Sequence, residues 1–115
     1  MYGVDEIIFS IKAITMAATK TNKVECLNPN TGGRMNIDKD TYDLFAKAIY
    51  YTIKKGKALT FTEITKGVND YLKKHQKEFD GSVGWYAVTV KNDLLARGIL
   101  KAYTEKGKKL NSIAS

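Results

Sequence analysis

GWYAVTVKNDLLARGILKAYTEKGKK, residues 84–109, decides the fold. Val83, Ala87, Val90 and Leu94 recur at spacings of three and four, which places them on one face of a helix. Asp80, Gly81 and Ser82 supply a turn and an N-cap before that stripe, and Gly98 supplies the stop, so a helix is expected over residues 83–97. Residues 99–104 then read as a strand, 105–108 as a turn containing Gly107, and 109–113 as a returning strand. A helix followed directly by a lysine-rich hairpin is the result.

Upstream, Thr60 and Glu63 have capping-box spacing ahead of Ile64, Val68, Tyr71 and Leu72, which repeat at the helical period. Gly67 inside this helix weakens it relative to Ala and marks a close helix crossing. Before it, ALTF at 58–61 is a short extended link. A longer helix precedes the link: Asp38 is its expected N-cap, Asp40 adds charge to its first turn, and Lys54, Lys55 and Gly56 close it. Tyr42, Phe45, Ile49 and Ile53 form its apolar face, with Leu44, Ala48 and Tyr51 beside them.

The first 37 residues have a different character. KVECL and RMNI flank NPNTGG, whose Pro29, Asn30, Gly32 and Gly33 provide turn geometry, so a hairpin is expected. The glycine pair has no Lys-Ser/Thr sequel and does not read as a phosphate loop. Val4, Ile7, Ile8, Ile11 and Ile14 make a helical stripe over residues 4–18 that a β-rich segment would also satisfy. The expected organisation is an N-terminal extension at 1–37, packed on the core or on a partner, and a main domain at 38–115.

Composition bounds the function. A chain of 115 residues with 43% hydrophobic content forms one core without disulfides or metal. Nineteen Lys and Arg against twelve Asp and Glu give a net charge of +7, which draws the protein toward polyanions such as nucleic acid. Single Cys and His residues exclude an intramolecular disulfide and a thiolate cage, so Cys26 reads as a buried packing thiol and His75 as a solvent-facing side chain. The apolar stretch near the start carries Asp5 and Glu6 before it and Lys12 within it, unlike a secretory signal, and is too short to span a bilayer. A cytoplasmic, non-membrane protein with no cofactor, no metal site and no catalytic constellation is expected; it does not read as an enzyme.

The order helix, short strand, helix, helix, hairpin over residues 38–113 resembles a winged helix-turn-helix domain, an α+β class that is mainly helical. LTFTEI at 59–64 is similar to the strand-and-cap start of the second helix in many bacterial regulators. VKNDLLARGILK at 90–101 places Val90, Leu94, Gly98 and Ile99 where such domains have core, core, helix stop and wing strand. Residues 24–101 also resemble a small uncharacterised bacterial winged-helix family. The resemblance implies that the last helix enters the major groove of double-stranded DNA while the wing meets phosphates. Carried onto this chain, the DNA-binding positions are Thr89, Lys91, Asn92, Lys101, Lys106, Lys108 and Lys109.

Two features run against base reading. KHQKEFDGS, from Lys74 to Ser82, is longer than a compact helix-turn-helix turn and requires Phe79 to be tucked away. The last helix is also apolar on a second side, where Trp85, Val88 and Leu95 point away from the core stripe, and Asp93 adds charge unfavourable to phosphate. That side calls for a cover: the segment from Val4 to Ala18, a second subunit in a homodimer, or the chain's own core. The function expected is a nucleic-acid-binding regulator; the rival is a protein interaction or assembly module on the same scaffold.

Overall fold

In the computed structural model, residues 23–75 and 81–114 are described. The segment 4–18 and, within the link from Lys74 to Ser82, residues 76–80 with Phe79 among them lie outside the described residues. The described order is β1 (Lys23–Leu27), β2 (Arg34–Asp38), α1 (Lys39–Gly56), β3 (Ala58–Leu59), α2 (Phe61–Lys74), α3 (Val83–Ala96), β4 (Leu100–Glu105) and β5 (Lys108–Ile113). The architecture is α+β: three helices and two small antiparallel sheets among the described residues.

The first sheet is the β1–β2 hairpin, with Lys23 opposite Asp38 and Leu27 opposite Arg34. Asn28 organises its loop: its carbonyl accepts from the Thr31 and Gly32 amides, and Gly32 takes a left-handed φ of 73° that suits glycine. The second sheet has the order β3-β5-β4, so the short strand after α1 lies beside the last strand of the chain. At the tip of β4–β5, Lys106 and Gly107 both have positive φ, 51° and 79°, the geometry of a two-residue turn that follows strand twist. The turn is therefore tighter than the four-residue span expected from Glu105 to Lys108.

Local signals explain most element ends. Thr60 accepts from the Glu63 amide at 3.3 Å while Glu63 accepts from the Thr60 amide at 3.0 Å, so the capping box is formed at both ends. A cap of this kind contributes about 1 kcal/mol. These hydrogen bonds from the Thr60 backbone and side chain hold the Glu63 carboxyl below its usual range. Ser82 caps α3 by accepting from the Trp85 amide at 3.1 Å, and Gly98, at φ 77°, follows its last turn.

Two ends differ from expectation. Asp38 occupies the N-cap of α1 but makes no capping hydrogen bond, because its carboxylate pairs with Lys23 across the hairpin. Lys57, not Gly56, adopts the positive φ, 73°, after α1, and its amide returns to the Ile53 carbonyl.

The apolar stripes converge on one core. Tyr42, Phe45, Ile49 and Ile53 from α1, Ile64, Val68 and Leu72 from α2, and Ala87, Val90 and Leu94 from α3 are all buried. Val24, Cys26 and Ile37 of the hairpin join the same cluster. Helix α3 packs against α1, α2, β1 and β4. The three-helix core takes one side of α3, and β1 of the N-terminal hairpin also contacts it.

Burial also sets the chemistry of Cys26. Removal of the thiol from water, and then the charge of Asp93, push its pKa from 9.0 to about 12. Tyr42 is raised for the same leading reason, burial, reinforced by Asp93. Both groups hold their protons longer in the folded chain than in the unfolded one. Stability is therefore full below the unfolded pKa and declines as pH rises between 9.0 and about 12, where the unfolded thiol ionises first. The expected result is a urea midpoint that falls across that window and falls less in Cys26→Ala. A flat profile in the parent protein would contradict it.

Candidate functional site

Two surfaces are built around α3. The first is the β4–β5 hairpin, where Lys101, Lys106, Lys108 and Lys109 are all exposed. Pairing of Glu105 with Lys108 and Thr104 with Lys109 places Lys108 and Lys109 on opposite faces of the ribbon near its tip. Lys109 is close enough to Lys91, and Lys108 to Glu63, for their charges to be felt there. The hairpin thus concentrates cations on a two-stranded edge, with half-exposed Tyr103 among them.

The polar residues of α3 are placed otherwise. Lys91 is only 7% exposed, with its ammonium 5.3 Å from the centre of the Phe61 ring. Burial, followed by the charge of Lys109, holds its pKa below the usual lysine value. Asn92 is likewise 7% exposed, and Thr89 donates its hydroxyl to the Trp85 carbonyl at 2.8 Å. Thr89, Lys91 and Asn92 therefore do not form an open row of base-reading groups, while the four hairpin lysines do share an exposed element.

Trp85, Val88 and Leu95 also separate. Leu95 packs on the core, Val88 is half-buried, and Trp85 is 41% exposed. Trp85 and Val88 line a cleft of about 410 Å³ between α3 and the β1–β2 hairpin. Cys26 and Leu27 line it from β1, Arg34 and Met35 from β2, and Asn92 from α3.

Beside this cleft lies a buried polar hub that sequence reasoning missed. Asp93 is 1% exposed, yet its carboxylate accepts three hydrogen bonds: from the Leu27 amide at 2.9 Å, the Tyr42 hydroxyl at 2.6 Å and Arg97 Nε at 2.7 Å. Arg97 in turn donates to the Glu25 carbonyl at 3.2 Å. Burial opposes the charge on Arg97, but the hydrogen bond and charge of Asp93 outweigh it and raise its pKa. The hub ties β1 to α1 and α3 and fixes the hairpin that forms one wall of the cleft. Only the Asp93 to Arg97 spacing of four was visible in the sequence; Tyr42 and Leu27 stand 51 and 66 residues away.

Among the described residues no His, Cys, Asp and Glu cluster could hold a metal, and no helix is long and apolar enough to cross a membrane. His75 is exposed at the end of α2, its ring 4.3 Å from that of Tyr71.

A small α+β protein with a basic hairpin and a cleft between α3 and the β1–β2 hairpin is thereby defined. The chain belongs to a family of unknown function, DUF6958, whose model matches residues 23–110. No curated protein and no solved structure matches it significantly.

Proposed function

We propose that the protein is a winged helix-turn-helix protein, a cytoplasmic regulator that grips double-stranded DNA by its phosphate backbone through a basic wing. The observation that carries this reading is the exposure of Lys101, Lys106, Lys108 and Lys109 on the tightly turned β4–β5 hairpin. The element order from α1 to β5 and the strand order β3-β5-β4 support the winged-helix part, and the net charge of +7 supports a polyanionic partner. Burial of Lys91 and Asn92 favours contacts that position the protein over contacts that read bases.

Fluorescence anisotropy with random duplex DNA tests the reading. Affinity should fall steeply with salt, and replacing Lys106, Lys108 and Lys109 together with Ala should flatten the log–log salt slope by about 2 to 3. At low salt the triple variant should bind about tenfold more weakly or worse, equally across sequences. Failure of the folded parent protein to bind at low salt would retire the wing. A second reading, an assembly module that includes homodimers, is favoured by the exposure of Trp85 at 41% and Met35 at 48% on one cleft. Concentration-independent monomeric sedimentation would exclude the homodimer.

A further inference from the structure

The strand order β3-β5-β4 leaves the outer edge of β4 with no strand beside it among the described residues. Parity fixes which backbone groups that edge offers. In an antiparallel pair, residues alternate between those that exchange both backbone hydrogen bonds and those that exchange none. The two-residue turn makes Glu105 and Lys108 a bonded pair, and at the other end of β4 the Ile99 carbonyl accepts from the Ala114 amide, so the odd-numbered residues of β4 are spent on β5. Leu100, Ala102 and Thr104 therefore turn their N–H and C=O groups outward. Residues 101–105 are all exposed, and an open edge of this kind is a template for another strand.

The side chains select which strand. Lys101, Tyr103 and Glu105 share one face of β4, with Tyr103 40% exposed between the two charges. Neither Lys101 nor Glu105 has an ion-pair partner among the described residues. Read in reverse the row is acid, tyrosine, lysine, so a two-fold axis through Tyr103 sets Lys101 against the partner's Glu105 and Glu105 against the partner's Lys101. We propose that the outer edge of β4 is a homodimer interface, through which two copies pair antiparallel and join their three-stranded sheets. In that register Ala102 and the partner's Thr104 exchange the outward-facing backbone bonds. The charged pairs and the tyrosine pair fall at the non-bonded positions, where side chains come closest. A slip of two residues keeps the backbone bonds but parts Lys101 from the partner's Glu105, and a slip of one sets outward groups against groups already spent on β5. Charge and parity thus select the same register. Lysine on an edge strand ordinarily guards against pairing, and here a glutamate answers it. Each copy carries +7 and one strand edge buries little area, so the dimer is weak and reversible. The interface uses neither Trp85 nor its cleft and does not rest on the DNA-binding reading.

Sedimentation of the full chain at about 0.15 M salt, where exposed charges beyond about 8 Å are screened, tests the interface. The parent protein should pass reversibly from monomer to dimer below about 1 mM. Lys101→Glu or Glu105→Lys sets like charges opposite each other at both symmetric positions and should weaken the dimer about tenfold or more, and the two changes together should restore it. Both positions are exposed, so the variants report on pairing and not on folding. Amide hydrogen exchange reads the edge directly. The Ala102 and Thr104 amides should gain protection as concentration rises, whereas the Tyr103 amide, already bonded to β5, should change little. A chain that stays monomeric to about 1 mM, a double variant that dimerises no better than the single ones, or a dimer in which Ala102 and Thr104 stay unprotected overturns the proposal.

Discussion

Asp93→Ala should destabilise the fold by about 3–5 kcal/mol, a large share of the roughly 5–15 kcal/mol that holds a small domain together. The reason is what the substitution leaves behind. Three donors converge on that carboxylate, and one of them, the hydroxyl of the fully buried Tyr42, has no route to water without local opening. Arg97 keeps its bond to the Glu25 carbonyl but loses its counter-ion. Tyr42→Phe removes one donor and leaves the carboxylate with two, so its cost should be only about 1 kcal/mol. Replacing Tyr42, Asp93 and Arg97 together by Phe, Leu and Met removes the charges as well as the partners and should recover much of the loss. Urea titrations of the four proteins measure this. A loss under about 1 kcal/mol for Asp93→Ala would mean that the hub is ornamental to stability.

The hub bears on function because it anchors the hairpin to α3. With β1 held by Asp93 through the Leu27 amide, one wall of the cleft is fixed relative to Trp85 and Asn92. Partial loss of the hub should therefore loosen the β1–β2 hairpin while leaving the basic hairpin, which supplies none of the hub's partners, able to contact polyanions.

Elements whose signals are local were legible in the sequence. The capping box at Thr60 and Glu63, the Ser82 cap, the Gly98 stop and the β4–β5 hairpin each depend on residues within a few positions of one another. The close crossing marked by Gly67 and the buried thiol of Cys26 were legible too. What was not legible is which element covers which side chain. Lys91 and Asn92 are polar and sit on a helix beside a basic hairpin, so the sequence places them at the surface. Phe61 and the β1–β2 hairpin, both distant in sequence, bury them instead. The tie that holds the β1–β2 hairpin to α3 was not recognisable, because Asp93 and Leu27 stand 66 residues apart. At Asp38 a local rule lost to a cross-strand one: the ion pair with Lys23 took the carboxylate that helix capping would have used.

Gly67→Ala should destabilise the protein although it replaces glycine by the best helix former. In an open helix the change would gain about 1 kcal/mol. Here α2 crosses α1 so closely that an added Cβ would lie 2.2 Å from Thr52 Cγ2, 2.7 Å from its Oγ1 and 3.0 Å from its Cβ. Rotation of Thr52 offers little relief, since its hydroxyl is bonded to the Ala48 carbonyl at 2.7 Å and its Cβ is fixed by the helix. Overpacking of this kind costs about 1–3 kcal/mol, enough to reverse the sign of the propensity gain, and Gly67→Val, larger and β-branched, should cost more than about 3 kcal/mol. Thr52→Ala removes the two closest atoms and should restore most of the loss in the Gly67→Ala background, giving a coupling of at least about 1 kcal/mol in a double-mutant cycle. A stabilised Gly67→Ala protein, or additive effects of the two changes, would show that the helices part freely. They should not: α1 leads directly into β3 and α2 begins immediately after it, so this crossing sets where β3 meets β5 and hence how the basic hairpin is presented. Under the wing reading, a variant that forces α1 and α2 apart should therefore lose DNA affinity together with stability, whereas the hairpin lysine variant should lose affinity alone.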